Sequence, residues 1–515
     1  MIHPALTRRT LLTGAGALLA GAPAILRAQI TGPGDPFPLG VAAGDPAPDG
    51  FVIWTRLAPD PLAEHGGMPM IPVPVQWEVS TDPRFTQVAM RGEAIARPEL
   101  AHAVHIEVTG LAADRPYYYR FTIGRERSLT GRARTAPPAG SRIDRLRIAS
   151  VGCQHYEDGL YTAYRHLAGE DVGFVFHYGD YIYEGRGRDR RTDALGLPVA
   201  TVRRYVGDEI YDLADYRRRY AQTKLDPDLQ AAHAMHAFVA TFDDHEIDNN
   251  WTGDGDQDGT PPEIFLLRRQ AALQAWYEHM PVRRASLPHG PAIAMARRLA
   301  WGDLADFRFL DTRQFRTRQP CGDGFGPACP GVESDAARVL DPAQQKAAGL
   351  PAAGLWTVFA QQVMMMTMDR RRTAAEPTPI MNLDTWAAYA RPREQFLASL
   401  GRRPDVIVLT GDEHQNFAGE VRDKAGRPVA IEFVATSITS GGDGQDRRAG
   451  SDVMLANNPH LKFINDQRGY VVCDIGREGW NTDYMVLDRV SAPGGTLSRR
   501  IRMTVPRGET VVRAG

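Results

Sequence analysis

Four short apolar runs lie between residues 146 and 410, and polar segments separate them. They cover residues 146–152, 172–179, 237–242 and 406–410, and residues 215–224 and 263–279 between them have the composition of helices. Apolar runs of this length are typical of strands that are buried on both faces, and their alternation with helices is typical of a central sheet. The sequence therefore predicts an α/β domain over residues 143–490, followed by a C-terminal tail over residues 491–515.

Residues 35–138 have a different character. Segments 51–56, 75–80 and 105–108 resemble strands, and the turn-forming pair Asp49-Gly50 precedes the first of them. Tyr117 enters a further strand just after a turn, which is typical of immunoglobulin-like sandwiches. We therefore expect a small all-β domain of the immunoglobulin or fibronectin-III type, with a Pro- and Gly-containing linker at residues 136–140.

The first 28 residues have the pattern of an export signal. Arg8 and Arg9 precede an apolar stretch, and Ala28 supplies a small residue at the cleavage position. This pattern predicts export by the twin-arginine route, removal of residues 1–28, and a periplasmic or extracellular location. A membrane anchor is the alternative, but the stretch is short and is interrupted by three glycines and a proline. We expect no membrane span after cleavage.

The charge of the chain bears on its partners. Lys and Arg number 60 and Asp and Glu number 62, for a net charge of −2. Nucleic-acid-binding domains normally carry a basic excess. We therefore expect no stable nucleic-acid partner.

Two of the four cysteines lie close together in the sequence. Cys321 and Cys329 enclose a short loop that contains glycine and proline. Disulfides persist outside the cytoplasm. We therefore predict a disulfide between these two residues, which leaves Cys153 and Cys473 as free thiols.

Residues that can bind metals follow the end of each apolar run. Cys153 follows the first run, Asp180 and Tyr183 follow the second, the block 243–250 follows the third, and the segment 411–414 follows the fourth. Ligands of open α/β sheets gather outside the carboxyl ends of the strands. Each motif alone is more typical of a turn or a helix cap than of a metal site. Together they indicate a metal centre, because a cation offsets the cost of burying like charges side by side.

These motifs resemble those of the alkaline phosphatase D (PhoD-like) metallophosphatases. The resemblance rests on Gly179-Asp180-x-x-Tyr183, on Asp243-Asp244-His245-Glu246 and on Gly411-Asp412-Glu413-His414, and it extends over about residues 35–490. It implies phosphate-ester hydrolysis at an iron–calcium centre bound through Cys, Asp, Tyr and His. It also implies a calcineurin-like metallophosphoesterase domain, a four-layer αββα sandwich that carries two metals.

The resemblance assigns metal-binding roles to three residues near the first two runs. Asp180 is the expected bridging carboxylate. Tyr183 would supply a phenolate to a ferric ion, since a trivalent cation can ionise a tyrosine. Cys153 would supply a thiolate. A thiolate is unusual beside hard ions, so a buried, inert thiol is the alternative for Cys153.

The remaining ligand candidates come from the third and fourth motifs. Asp244 and His245 are candidates for the second metal or for catalysis, and Asp412 and His414 would close the site from the far side. Asp243 and Asn249 are further candidate ligands. Not all of them can reach one centre, because adjacent side chains diverge.

The reaction itself suggests catalytic and substrate-binding residues. Metals neutralise the phosphoryl oxygens and activate a water molecule, and a general acid protonates the leaving alkoxide. His245 and His414 are the candidates for that acid, and the sequence does not rank them. Arg313 could hold phosphate bidentately. The alternative for Arg313 is a structural ion pair with Asp306 or Asp311.

The sequence thus predicts an exported, metal-dependent phosphoesterase that hydrolyses phosphate monoesters, phosphodiesters or both. The expected metals are iron (Fe³⁺) and calcium, and other divalent metals are alternatives. The expected partners are small phosphorylated substrates or phosphodiesters and the twin-arginine export machinery. A non-catalytic, exported metal- or phosphate-binding protein is the rival interpretation. The presence of both His245 and His414 argues against it.

Overall fold

The structure is a computed structural model that describes residues 34–187, 191–192, 198–373 and 375–515. The predicted export signal, residues 1–28, lies outside the described residues. Strands alternate with helices from residue 145 onward. The predicted α/β class is therefore confirmed.

Ten strands form the larger sheet. Near its centre, strand Phe174–His177 runs parallel to Arg145–Val151 on one side and to Ala237–Ala240 on the other. The strands Phe174–His177 and Ala237–Ala240 are buried along their whole length, which explains their continuous apolar sequence. Across the sheet, the strands follow the order Arg513–Ala514, Leu497–Pro506, Gly479–Leu487, Gly469–Gly476, Arg145–Val151, Phe174–His177, Ala237–Ala240, Val41–Ala47, Gly50–Arg56 and Ala103–Val108.

Seven strands form the second sheet. Its four parallel strands include Val406–Thr410, which is buried throughout and precedes the last of the sequence motifs. Across this sheet, the strands follow the order Arg297–Trp301, Ala305–Phe309, Trp356–Ala360, Val406–Thr410, Pro428–Val434, Asn416–Arg422 and Leu461–Asn465.

The two large sheets pack face to face. Phe174 and Phe176 of the first sheet contact Phe307 and Phe309 of the second, with ring centroids 5.1 Å apart for Phe174 and Phe307 and 5.5 Å for Phe176 and Phe309. These rings belong to one continuous buried apolar cluster between the sheets. Burial of such apolar surface is the main force that holds the layers together.

Helices cover the outer faces of both sheets. A second apolar cluster joins the first sheet to the helices Thr162–Leu167, Leu213–Lys224, Pro227–Met235 and Pro262–His279. A third joins the second sheet to the helices Pro342–Ala348 and Ala390–Leu400. The short helix Ser451–Asn457 packs beside strand Leu461–Asn465. The layers therefore follow the order helices, sheet, sheet, helices.

The N-terminal residues contribute strands to two sheets. Their apolar cluster lies between strands of the large sheet and a smaller sheet made of Val88–Ala96, Val73–Ser80, Pro116–Ile123, Glu126–Arg127 and Gly131–Arg134. The strand Val41–Ala47 pairs in parallel with Ala237–Ala240, so the two parts of the chain share one sheet. The hydroxyl of Tyr117 accepts a hydrogen bond from the Ala112 amide at 2.9 Å, which is the bond expected of a tyrosine corner.

The prediction that residues 491–515 form a tail is wrong, because these residues contribute two strands to the large sheet. Strand Leu497–Pro506 pairs with Gly479–Leu487 at the edge of the large sheet, and Arg513–Ala514 pairs with it in turn. The strand escapes a search for apolar runs because its outer face carries arginines. One of them, Arg502, forms an ion pair with Asp483 at 2.6 Å.

Two pairs of short strands lie outside the large sheets: Arg191–Thr192 with Pro198–Val199, and Phe325–Gly326 with Met381–Asn382. Strand Phe325–Gly326 lies in the loop between Cys321 and Cys329. These two cysteines form a disulfide, as the sequence predicts. Cys153 and Cys473 are buried free thiols. Among the described helices, none has the length and apolar character needed to cross a membrane.

Candidate metal centre

The carboxyl ends of four parallel strands meet at one edge of the two sheets. The strands ending at Val151, His177 and Ala240 are neighbours in the large sheet, and the strand ending at Thr410 belongs to the second sheet. The first two loops are joined directly, because the Cys153 amide donates to the Gly179 carbonyl at 3.0 Å. Residues far apart in the sequence are therefore brought to one place, as the strand-end motifs predict.

The backbone of the site is unusual. Cys153, Asp180, Asp412 and His414 all have left-handed backbone conformations, with φ between 51° and 67°. Such a conformation costs a non-glycine residue about 1 kcal/mol or more and is concentrated at functional sites. Four predicted ligands in four such conformations indicate that the fold holds these side chains in place at the expense of local backbone strain.

Close approach of one ring explains two glycines of the motifs. A Cβ added at Gly152 or at Gly411 would lie 2.2 Å or 2.1 Å from ring atoms of Tyr178. The Tyr178 ring is thus packed between two loops, each of which carries a predicted ligand on its next residue. Glycine is required at both positions because no side chain fits there.

The first group of potential ligands is Cys153, Asp180 and His414. Their donor atoms all lie within 4.8 Å of one another. The Tyr183 hydroxyl joins this group, since it donates to Asp180 Oδ2 at 2.8 Å and lies 3.2 Å from His414 Nε2. Thiol, carboxyl, phenol and imidazole groups therefore converge on one point.

Two further groups continue from the first. Asp180, Asp244 and His245 form one, and Asp243, Asp244 and Asp412 form the other, each with donor atoms within 4.8 Å of one another. Asp180 is shared by the first and second groups, and Asp244 by the second and third. A carboxylate has two oxygens, so each shared residue can serve two cations.

Unpartnered oxygens provide a test of whether these residues fit a metal. Asp180 Oδ1, Asp243 Oδ2 and Asp244 Oδ1 are buried and accept no hydrogen bond from any described residue. A buried acceptor without a partner is costly and calls for an explanation. Hard cations bind to carboxylate oxygens of this kind. The residues present therefore fit a metal centre.

The electrostatics of the group support the same conclusion. Burial raises the pKa of Asp180 and of Asp412 well above the usual range, and neighbouring carboxyl groups add to this effect. Burial likewise raises the pKa of Cys153 and of Tyr183, and the nearby Asp180 adds to both shifts. A bound cation would favour the ionised form of all four groups, because a nearby positive charge lowers the pKa of each of them.

His245 has a carboxylate partner that the sequence motifs do not reveal. Its Nδ1 lies 2.8 Å from Glu184 Oε2. Burial alone would raise the pKa of Glu184, but His245 outweighs it, so the pKa of Glu184 is lowered and its carboxylate accepts a hydrogen bond from Nδ1–H. Burial alone would lower the pKa of His245, but Glu184 and Asp244 raise it well above its usual value. His245 Nε2 is thus left to serve the centre.

Glu246 holds the loops that carry the ligands. Its Oε2 accepts hydrogen bonds from the amides of Asp180 at 3.0 Å and of Asp243 at 2.9 Å, and its Oε1 accepts one from Tyr181. The last residue of the Asp-Asp-His-Glu block is therefore structural. Its position three residues after Asp243 is the only sequence signal of this role, and the same spacing occurs in helix capping.

The predicted role of Arg313 in binding phosphate is wrong. Its side chain is fully buried, its Nε donates to Asp243 Oδ1 at 2.5 Å, and its Nη1 donates to Asp384 Oδ2 at 2.6 Å. Asp306 is also not its partner, because Asp306 pairs with Arg298 and Arg308. Arg313 is instead a buried cation that fixes a carboxylate of the third group.

A cavity of ≈ 280 Å³ opens beside the centre. Tyr183, His245 and Asn249 line it, together with Glu184 and Glu209. Asn249 Nδ2 donates to Gln257 Oε1 at 2.8 Å. The structure therefore places Asn249 at the cavity wall, whereas the other predicted ligands converge in the three groups.

Comparison with known proteins gives consistent results along most of the chain. A family model described as PhoD-like phosphatase matches residues 148–484, and a model described as PhoD-like phosphatase, N-terminal domain, matches residues 23–137. Alkaline phosphatase D of Bacillus subtilis (strain 168) is 42% identical over 488 residues, which cover 93% of this chain and 82% of that protein.

Two solved structures are also similar. A structure of PhoD superposes with a TM-score of 0.89 and 41% identity, covering 94% of this chain and 92% of that chain. A purple acid phosphatase from yellow lupin (Lupinus luteus) seeds superposes with a TM-score of 0.51 and 13% identity, covering 91% of this chain and 74% of that chain. The similarity to the purple acid phosphatase shows a shared fold and nothing more.

Proposed function

We propose a specific reaction for this chain, which belongs to the PhoD-like phosphatase family and is a phosphoric ester hydrolase. It hydrolyses phosphate monoesters, diesters or both with a metal-activated water. The main support for metal dependence is the series of three overlapping ligand groups. Asp180 belongs to the first and second groups and Asp244 to the second and third, and the groups contain three buried oxygens without hydrogen-bond partners among the described residues. The first test of substrate class is the kcat/KM for p-nitrophenyl phosphate against that for bis(p-nitrophenyl) phosphate. A preference for the diester would exclude the monoesterase assignment.

The donor chemistry supports two kinds of metal. Cys153, Asp180, Tyr183 and His414 would hold iron, because phenolate and thiolate ligands suit Fe³⁺ better than they suit calcium. The carboxylates Asp180, Asp243, Asp244 and Asp412 would hold calcium, with Asn249 as a further oxygen donor at the cavity wall. When bound, the metals would neutralise the phosphoryl oxygens and lower the pKa of a water molecule.

His414 and His245 have different roles in the proposed reaction. Burial and the nearby Arg468 lower the pKa of His414 well below its usual value, so its ring is neutral, the form that binds metals. The pKa of His245 is raised, so its ring retains a proton that can be passed to a leaving alkoxide in the adjoining cavity. Glu184 fixes the orientation of the His245 ring through Nδ1.

The substitution Glu184→Gln should lower kcat more for a substrate with a basic leaving group than for one with a weakly basic leaving group. Loss of the carboxylate lowers the pKa of His245 and frees its ring, and loss of an orienting partner of this kind typically costs about 10–100-fold. We expect kcat to fall by about that factor for phenyl phosphate, whose leaving group needs a proton, and by less for p-nitrophenyl phosphate. Glu209→Gln, on the wall of the same cavity, is the matched control. Equal losses on both substrates would contradict the role of His245 as proton donor.

The substitution Tyr183→Phe tests the phenolate ligand. A phenolate bound to Fe³⁺ gives a visible charge-transfer absorption, so the purified protein should be coloured and the variant should lose the band. Far-ultraviolet circular dichroism should stay unchanged, because the ring remains and only the hydroxyl is removed. An unaltered visible spectrum in an iron-containing variant would exclude Tyr183 as a ligand.

The cellular setting is part of the same proposal. The Arg8-Arg9 pattern supports export through the twin-arginine machinery to the periplasm or beyond. The tyrosine-corner bond of Tyr117 and the all-strand pairing around it support an immunoglobulin-like N-terminal domain at residues 35–138. The layer order and the similarity to a purple acid phosphatase support the calcineurin-like αββα arrangement for the remainder.

A further inference from the structure

We infer that a second cavity beside the metal centre binds a phosphate group carried by the alcohol portion of the substrate. This inference rests on the proposed function, because it names a property of the substrate of the same site. The cavity has a volume of ≈ 310 Å³, and its walls include Phe325, Arg370, Arg372, Glu413 and Arg448.

The cavity and the metal centre share one loop. Glu413 and Gln415 line the cavity, whereas Asp412 and His414 belong to the ligand groups. Consecutive Cα atoms are about 3.8 Å apart. Residues that line the cavity therefore alternate along this loop with residues of the ligand groups, which places the cavity next to the centre.

A second connection runs through the disulfide loop that carries Phe325. Asp323 Oδ1 of this loop accepts a hydrogen bond from Asn250 Nδ2 at 2.8 Å, and the Asn250 amide donates to Asp244 Oδ2 at 2.8 Å. On the other side, Phe325 pairs with Asn382, whose Nδ2 donates to Glu413 Oε1 at 3.3 Å. The loop thus forms a wall common to the cavity and the centre.

Arg370 supplies the main reason to expect an anion. Its side chain is 6% exposed, and its Nη2 lies 2.5 Å from Glu413 Oε1. Its Nε has no hydrogen-bond partner among the described residues. A buried donor without a partner costs about 1–3 kcal/mol. An anionic oxygen in the cavity would satisfy this donor.

Arg448, like Arg370, has one nitrogen in an ion pair and an Nε without a hydrogen-bond partner among the described residues. Its Nη2 lies 2.6 Å from Asp466 Oδ1, and its Nε has no hydrogen-bond partner in the part of the chain that the structure describes. Of the two acids that line the cavity, Glu376 accepts hydrogen bonds from the amides of Arg372 and Thr373, and Glu413 is engaged by Arg370. Three guanidinium groups and two carboxylates therefore line the cavity, and the two Nε donors of Arg370 and Arg448 are the groups that an added anion would serve.

The chemistry of these groups favours a phosphate. Guanidinium groups bind tetrahedral oxyanions through paired, charge-assisted hydrogen bonds. Phe325 is 55% exposed at the rim and lies 6.0 Å from Arg370 Cζ, so it presents an apolar surface to the linker between two phosphates. The structure thus combines a site for an anion with a site for a carbon chain.

The test uses the full-length holoenzyme and two matched series of substrates. One series consists of α,ω-alkanediol bisphosphates with two to six carbons, and the other of the ω-hydroxyalkyl monophosphates of the same lengths. We expect at least one bisphosphate to exceed its monophosphate in kcat/KM by about tenfold or more. Arg372→Met and Arg448→Met should each reduce this ratio about tenfold. Arg447→Met, at an arginine that does not line the cavity, should leave the ratio unchanged.

Each outcome has a distinct meaning. Turnover of the monophosphates without any preference for a bisphosphate, or a preference that survives both variants, would overturn the second phosphate site and leave the phosphoesterase intact. Faster turnover of a monophosphate on addition of methylphosphonate, without any preference for a bisphosphate, would show that a free anion occupies the cavity and would overturn the inference that the substrate carries it. Metal-loaded enzyme that hydrolyses neither series, nor p-nitrophenyl phosphate, would instead refute the proposed function.

Discussion

Replacement of Asp180 by asparagine is expected to remove metal and activity together. Asp180 is the residue shared by the first two ligand groups, and its Oδ1 is a buried acceptor without a partner among the described residues. An amide keeps the size of the side chain but removes the charge that two cations would share. Metals contribute several kcal/mol to such a reaction, and about 1.4 kcal/mol corresponds to a factor of ten. We therefore expect kcat/KM to fall about a thousandfold or more.

The measurement combines elemental analysis of the purified variant with its kcat/KM for p-nitrophenyl phosphate. Asp171→Asn is the control, because Asp171 is exposed and precedes the opposite end of strand Phe174–His177. The control should retain both metal and activity. An Asp180→Asn protein with full metal and full activity would exclude Asp180 from the centre.

The second large effect is expected from Arg313→Met, on stability as well as on metal content. Removal of the guanidinium leaves Asp243 and Asp384 buried without their shared cation. Breaking a buried ion pair from one side costs about 3–5 kcal/mol of unfolding free energy. Metal affinity should also fall, because Arg313 holds the Asp243 carboxylate in the third ligand group.

The pH dependence of this loss has a definite sign. Burial, opposed by Arg313, already raises the pKa of Asp243 to about 6, and removal of Arg313 would raise it further. A carboxyl group whose pKa is higher in the folded than in the unfolded protein destabilises the fold above its unfolded pKa, and protonation relieves that cost. The stability difference between wild type and Arg313→Met should therefore be smaller at pH 5 than at pH 8, as urea unfolding of the metal-free proteins would measure.

A second buried arginine provides the control for Arg313. Arg308 forms an ion pair with Asp306 at 2.9 Å, away from the ligand groups. Arg308→Met should lose stability but keep its metals, whereas Arg313→Met should lose both. A stability difference that is independent of pH, or Arg313→Met protein with full metal content, would contradict the account of Arg313.

The residues that converge at the strand ends could be predicted from the sequence. Asp180, Asp244, Asp412 and His414 each follow an apolar run, and parallel strands present their carboxyl ends at one edge of a sheet. The position of these polar residues directly after apolar runs is therefore enough to predict that they converge. Asp180 belongs to two of the ligand groups, and its role as a bridging carboxylate stays a prediction.

The partners of these residues could not be predicted in the same way. Glu184 and His245 are 61 residues apart, and Arg313 and Asp243 are 70 residues apart. No periodicity or motif links them, because such contacts depend on how the loops fold back over the sheet. An arginine near a phosphate site suggests substrate binding, and only its complete burial reveals a structural role for Arg313.

The C-terminal strands cannot be predicted from apolar runs, for a different reason. Strand Leu497–Pro506 has one buried face and one face rich in arginine, so it contains no continuous apolar run. The left-handed backbone at Cys153 and Asp180 cannot be predicted from the sequence, because such conformations normally indicate glycine.

The most direct test of the metal centre is elemental analysis of the purified protein, combined with p-nitrophenyl phosphate turnover before and after chelation. The account predicts stoichiometric iron and calcium, loss of activity on chelation, and recovery when the metals are restored. Turnover by a protein that contains no metal, with the same rate before and after chelation, would contradict it.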